Sequence, residues 1–186
     1  MATNKNVELA EALRNALQNK PLSKITVQEI AQACSINRQT FYYHFKDVYY
    51  LTEFLFKNDV NILIEKTREL STEEKIQVFY KYILDNKNVI LNTINSIDPD
   101  LLNTNLYSEV KYVLISAIKS REKVLNIELD EDKVELIAEI CKYPIVGKCL
   151  EWFKSGMTSL PDFSIDDFYT KVLPVFDQMI IGYAKK

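Results

Sequence analysis

Residues that break regular structure are scarce in this sequence, with 3 Gly and 5 Pro among 186 residues. Turn-rich β architectures depend on both, so the scarcity argues against them and for helices. Histidine occurs once, and the three cysteines, Cys34, Cys141 and Cys149, lack CxxC spacing. A His/Cys zinc site would need ligands this chain barely has. The thiols read as small core hydrophobes of a reduced compartment. Also missing are a glycine-rich phosphate loop, a GxSxG elbow and a histidine suited to activating a nucleophile. These gaps argue against an enzyme and leave no cofactor to expect. No charged N-terminal start precedes an apolar core, as in a signal peptide. No uninterrupted apolar run approaches the roughly 20 residues that span a bilayer. The expectation is a cytoplasmic protein without a membrane partner.

What is present suffices for a core, since 47% of residues are hydrophobic, and the length suits one domain or two small ones. Net charge is −3, but it is unevenly spread. Residues 1–50 carry six Lys/Arg against four Asp/Glu, a net of +2 that leaves −5 for the remainder. That asymmetry permits a phosphate-facing N-terminal end on an acidic body without showing one.

Apolar spacing predicts about nine helices, no strand and no repeat. Leu9, Leu13, Ala16 and Leu17 share one face of the first. Thr26 caps the second with Glu29 as its capping-box partner, and Val27, Ile30, Ala31 and Cys34 follow at helical spacing. Ser35-Ile36-Asn37 is a tight connection in which Asn37 caps a short third helix, anchored by Phe41 and Phe45. The fourth runs from about Asp47 to Leu70, with Val48, Leu51, Leu55 and Ile62 on one side. Ser71 and Glu74 form another capping box, and Asn86 to Ile97 makes a further helix. Asp98-Pro99 restarts a helix carrying Leu102, Leu106, Val110, Val113, Leu114 and Ala117. Asp130 opens the next, with Val134, Ile137, Ala138, Cys141, Ile145, Cys149 and Trp152 in phase. Pro144 inside it predicts a kink or break, and Gly156 closes it ahead of Pro161. Ser164 and Asp167 open the last helix, which Pro174 should bend. One stripe there is Ile165, Phe168, Val172, Val175, Met179 and Tyr183; a second is Tyr169, Leu173, Phe176 and Ile180. Two apolar faces point to a partner surface, or else to a helix buried centrally in the monomer.

The most informative segment is Thr26 to Leu51. With Phe41 and Phe45 inward, Gln39 and Tyr43 point most directly outward, flanked by Arg38, Thr40, Tyr42 and His44. An ordinary solvated face would prefer Glu and Lys. Gln pairs bidentately with adenine, Arg with guanine, and Thr bonds a base or touches a thymine methyl. Tyr, His and Lys46 suit phosphates. The competing reading has Tyr42, Tyr43 and His44 packing under the fourth helix. The aromatic cluster Tyr49, Tyr50, Phe54 and Phe56 reads as a domain junction.

This segment resembles the N-terminal signature of the TetR family, T-x-x-x-I-A-x-x-A-G-V-S-x-G-T-L-Y-x-H-F-x-x-K-x-x-L. Thr26, Ile30, Ala31, Ile36, Thr40, Phe41, Tyr42, His44, Phe45 and Leu51 match it. Cys34, Ser35, Asn37 and Gln39 depart from it, and Tyr49 lies close to where an acidic or basic residue is usual. Arg38-Gln39-Thr40-Phe41-Tyr42 and the later Trp152 to Met157 are similar to regulators related to the dihydroxyacetone-kinase operon activator. The resemblance implies an all-α protein with a three-helix DNA-binding head at 1–50. A body of roughly six helices at 51–186 would sense an effector and dimerise. The boundary falls within the fourth helix near Tyr50. The implied function is transcriptional regulation by a homodimer on a pseudo-palindromic double-stranded operator. Expected DNA contacts are Thr26, Arg38, Gln39, Thr40, Tyr42, Tyr43, His44 and Lys46. Expected dimer contacts are Ile145, Cys149, Trp152, Tyr169, Leu173, Phe176 and Ile180. The effector is a small molecule in an apolar pocket or a protein co-regulator docked on the body, and the residues leave both open. A helical enzyme is the rival from another class.

Overall fold

The computed structural model describes residues 4–158 and 168–184, the side chains of 168 and 169 excepted. Readings placed on Pro161, Ser164, Ile165 and Asp167, and on the side chains of Phe168 and Tyr169, lie outside the described residues. Among the described residues the order is α1 (Lys5–Leu17), α2 (Val27–Ala33), α3 (Arg38–His44), α4 (Val48–Lys66), α5 (Thr72–Asp85), α6 (Lys87–Ile94), α7 (Pro99–Leu125), α8 (Glu131–Lys154) and α9 (Leu173–Ala184), with no strand. No helix among them is long and apolar enough to cross a membrane.

Local chemistry sets most boundaries. Asn37 Oδ1 accepts from the Thr40 amide at 2.8 Å. Asp98 Oδ1 accepts from the amides of Asp100 and Leu101. The Ser71–Glu74 box closes in both directions, at 2.8 and 3.2 Å. Those bonds stabilise the ionised form of Glu74 and lower its pKa. The box expected at Thr26 is only half made. Thr26 Oγ1 accepts from the Glu29 amide at 3.2 Å, but Lys20 draws the Glu29 carboxylate to itself at 2.7 Å.

The break allowed for at Pro144 is not made, whereas the regular helix is interrupted just ahead of Pro174. α8 runs unbroken through Pro144. One N–H is lost there, on a side where Pro144 and Ile140 are exposed, so water can take the freed carbonyl. Pro174 stands in the first turn of α9, directly after a π-type turn at Phe168–Val172. That widened turn makes room for a ring that would clash inside a regular helix.

The chain divides into two compact units. One takes in the residues up to Ile62 together with Ile83–Leu102; the other takes in Leu63–Tyr82 and Asn103–Lys186. In the first, α1 buries Leu9, Leu13 and Leu17 completely, against Ile30, Phe41, Leu51, Leu55 and Val89. Ile62, expected on the buried side of α4, is exposed; the helix buries Asp59 instead. Asp59 is the partner of Arg14, whose Nη2 lies 2.6 and 2.8 Å from its two carboxylate oxygens. Arg14 Nη1 donates to Asn86 Oδ1 at 2.9 Å, ahead of α6. At the other end of that helix, Asn92 Nδ2 donates to the Leu17 carbonyl at 2.8 Å. Thus α1 is bonded to α4 and α6 by side chains that sequence spacing alone would place on a solvated surface.

In the second unit Leu114, Ile118, Val134, Ile137, Ala138 and Ile180 form the core. Arg121 crosses from α7 to Asp177 of α9 with two bonds of 2.8 and 2.5 Å. Glu122 Oε1 accepts from the Leu129 amide at 2.6 Å. Burial pushes all three thiols up, Cys149 to about 11, consistent with core packing rather than reactivity.

The Arg14–Asp59 pair yields a stability test. Arg14→Met should destabilise the protein by about 3 kcal/mol, because it removes the cation that is paired with the buried Asp59 carboxylate. Replacing both, as Arg14→Met with Asp59→Leu, should recover most of that loss in chemical denaturation. Equal midpoints for wild type and Arg14→Met would mean that water solvates the carboxylate.

Candidate nucleic-acid interface

The connection from α2 to α3 decides where the third helix points. The Ser35 amide donates to the Gln32 carbonyl at 3.1 Å and the Ile36 amide to the Ala31 carbonyl at 2.9 Å. This two-bond closure needs a left-handed residue between, and Ser35 supplies it at φ +54. Asn126 and Gly156 close α7 and α8 with the same pair of bonds. At Gly156 the residue three positions inside the cap is Trp152 and the one following is Met157, both buried. The Trp152 to Met157 similarity therefore has a structural explanation as a helix stop.

α3 has only seven residues, too few to hold together in isolation. Phe41 is fully buried and Phe45 nearly so, with ring centroids 6.2 Å apart; Phe45 also meets Phe54 at 5.4 Å. The opposite face is open: Arg38, Gln39, Tyr42 and Tyr43 are exposed, Tyr43 at 86%. The alternative in which both tyrosines pack under α4 does not hold.

The remaining expected residues are more constrained. Thr40 is half-buried and its hydroxyl donates to Asn37 Oδ1 at 3.1 Å, so it helps form the cap. Thr26 is exposed but its oxygen caps α2. His44 is half-buried, its ring edge-on to Tyr43 at 5.3 Å. Lys46 is exposed, with Nζ 5.4 Å from the Tyr50 ring centre. The Arg38 guanidinium lies 5.9 Å from the Tyr42 ring centre and 3.4 Å from its hydroxyl.

Sequence reasoning passed over a shallow open groove of about 320 Å³ at the C-terminal end of α3. It is lined by His44, Phe45, Lys46, Tyr50, Glu53, Phe54 and Lys57. Tyr50, Phe54 and Lys57 recur at helical spacing on α4, and that period was the available signal.

In the second unit the structure redistributes the expected dimer contacts. Trp152, Leu173 and Ile180 are buried within the single chain, so they belong to its own core and have almost no surface to offer a partner. Phe176 is half-buried against the same core, Cys149 is half-buried, and Tyr169 lies outside the described side chains. Ile145 is exposed, as are Leu136, Ile140, Tyr143 and Val175. Trp152 also stacks on Tyr80 at 5.9 Å and 13°. Among the described residues neither Trp152 Nε1 nor Tyr80 Oη finds a hydrogen-bond partner although both atoms are buried, and a buried polar group left so costs roughly 1–3 kcal/mol.

A short outward-facing helix, rich in bonding groups and seated on buried aromatics, defines a helix-turn-helix regulator. The chain belongs to the tetR family of bacterial regulatory proteins: the profile of that description matches residues 9–47, and one described as a transcriptional regulator C-terminal region matches residues 70–172, more than half of the chain. Among solved structures it is similar to the dihydroxyacetone kinase operon activator DhaS. The TM-score is 0.68 at 19% identity, over 96% of this chain and 97% of that one. It is also similar to a transcriptional regulator (TerR/AcrR family) from Aquifex aeolicus VF5. There the TM-score is 0.52 at 17% identity, over 95% of each chain. At these identities the likeness is one of fold. No curated protein matches the sequence.

Ser35 offers a test of the turn. A left-handed backbone costs an L-residue about 1–2 kcal/mol, which glycine escapes. Ser35→Gly should raise the thermal midpoint by about 2–4 °C, allowing for the lost serine side chain and the freer unfolded chain. A lowered midpoint would mean that the serine side chain stabilises the turn by more than its backbone strain costs.

Proposed function

We propose that the chain regulates transcription by binding a pseudo-palindromic operator as a homodimer, with residues 1–50 reading DNA. The observation that carries this reading is the outward face of α3, where Arg38, Gln39, Tyr42 and Tyr43 are exposed opposite buried Phe41. Gln39 and Arg38 are the base-reading residues, through bidentate bonds to adenine and guanine edges. Tyr42, Tyr43, His44 and Lys46 hold phosphates and fix register, and Thr26 and Thr40 contribute at the caps. The dimer forms through residues 51–186. Its face is drawn from the exposed apolar side chains Ile145 and Val175.

Binding to an inverted-repeat duplex should weaken about 10³- to 10⁵-fold between roughly 50 and 200 mM salt if six to ten phosphates are contacted. Gln39→Ala should relax base preference at one position per half-site, whereas Lys46→Ala should weaken all sequences alike. Ile145→Asp should give monomers in sedimentation, with much weaker operator binding. Unaltered base preference in Gln39→Ala would assign the reading face to other residues, and a stable Ile145→Asp dimer would move the interface elsewhere.

The second part of the reading is effector control through residues 51–186. Tyr80 Oη and Trp152 Nε1, buried and without a hydrogen-bond partner among the described residues, would be satisfied by a small molecule bearing hydrogen-bond acceptors. The structural similarity to a dihydroxyacetone kinase operon activator suggests short ketoses and polyols as first probes. Trp152 is the sole tryptophan, so its emission reports on that place directly. Titration with dihydroxyacetone or glycerol should change it saturably and alter operator affinity. A flat titration, together with co-purification of a stoichiometric protein, would favour a protein co-regulator instead.

A further inference from the structure

The groove beside α3 has a chemistry of its own. Its lining joins three aromatic side chains, Phe45, Tyr50 and Phe54, to two cations, Lys46 and Lys57, with His44 contributed by the end of α3. The one acidic side chain in it, Glu53, lies on the same face of α4 with Lys57 Nζ 3.6 Å away, and both side chains are about half exposed. The Lys46 ammonium lies 5.4 Å from the centre of the Tyr50 ring, so cation and ring are held together in the lining.

We propose that this groove seats the phosphodiester backbone of DNA just outside the base pairs read by α3, and that Lys57 and Tyr50 of α4 are phosphate-binding residues. This rests on the reading of α3 as the DNA-contacting helix. Three arguments select the occupant. The groove begins at His44, the last residue of α3, so a duplex docked on the helix continues into it. A nucleic-acid strand alternates apolar sugar with anionic phosphate, matching a lining that mixes rings with cations. The groove is also shallow and open, whereas a site for a small molecule encloses most of its ligand. A duplex strand passes over such a groove with its bases turned inward, so the contact carries no sequence information.

The test compares wild type with Lys57→Ala and Glu53→Gln, on a selected operator duplex long enough to extend past the half-sites. Each phosphate contact contributes about 0.9 to the slope of log K against log salt. Lys57→Ala should lower that slope by about 0.9 per groove engaged, with base preference unchanged. Glu53→Gln removes a negative charge facing the strand, and should tighten binding several-fold. On a duplex trimmed to the half-sites both variants should match wild type. Both positions are at the surface, so folding should be preserved, which circular dichroism checks. The proposal is overturned if Lys57→Ala keeps the wild-type slope on the long duplex while Gln39→Ala still alters base preference. In that case α3 reads DNA and the groove does not touch it. Absence of any operator binding by wild type would instead remove the reading of α3, and the groove proposal with it.

Discussion

Burial of Phe41 beneath α3 is the constraint on which the interface depends. A helix of seven residues has little stability of its own, because nucleation consumes most of what so few hydrogen bonds return. It persists here because Phe41 loses all contact with water and Phe45 nearly all. Burying a phenylalanine contributes roughly 1.5–3 kcal/mol. Each ring also fixes rotation about the helix axis. Once both are inward, the outward residues follow from the period of the helix, and Gln39 and Tyr43 have nowhere else to point. Stability and display are therefore the same event. A change that loosened Phe41 would alter the direction of the exposed face before it unfolded anything else.

The second requirement is that the chain turn sharply between elements, and it is met three times by one hydrogen-bond pattern with three different residues. Ser35, Asn126 and Gly156 each adopt a left-handed backbone between two closing bonds. Gly does this without strain and Asn at low cost, but Ser carries a penalty that the adjoining structure must offset. At Ser35 the offset comes from both sides. Asn37 caps the next helix within two residues, and Ile30 and Phe41 are buried on either flank. This explains how the turn survives without the glycine of the family pattern.

Features set by neighbours in sequence were legible, and features set by distant partners were not. The caps at Thr26, Asn37, Ser71 and Asp98, the stripe of α1, and the outward set on α3 are all local. Each depends on residue type at a fixed offset, which a sequence displays. Arg14 and Asp59, 45 residues apart, resembled surface charges because nothing in either neighbourhood announces the other. The same blindness affected α8 and α9. An apolar stripe shows that a face will be covered without showing whether the cover is the chain's own core or a second copy. Trp152, Leu173 and Ile180 turned out to be covered by the chain itself. Pro144 erred differently: the lost bond was real, but it fell on a side open to water, where its cost is small.

A net charge of −3 is at odds with the proposed association with DNA, and the placement of cations resolves the conflict. Screening confines an exposed charge to about 8 Å at physiological ionic strength, so an acidic residue bears on α3 only from nearby, as Glu53 does in the groove. What matters is the local set, and there the cations are held in place. Arg38 rests against Tyr42 and Lys46 against Tyr50. A long basic side chain normally loses rotamer freedom when it binds, about 0.5–1.5 kcal/mol each. A ring beneath the cation restricts it beforehand, through an attraction of about 0.5–1 kcal/mol at an exposed site. In the proposed reading the tyrosines thus serve twice, as hydrogen-bonding groups toward the strand and as rests that position the cations before it arrives. Few cations suffice when each is already pointed, which is how a head with a surplus of only two positive charges can engage a polyanion.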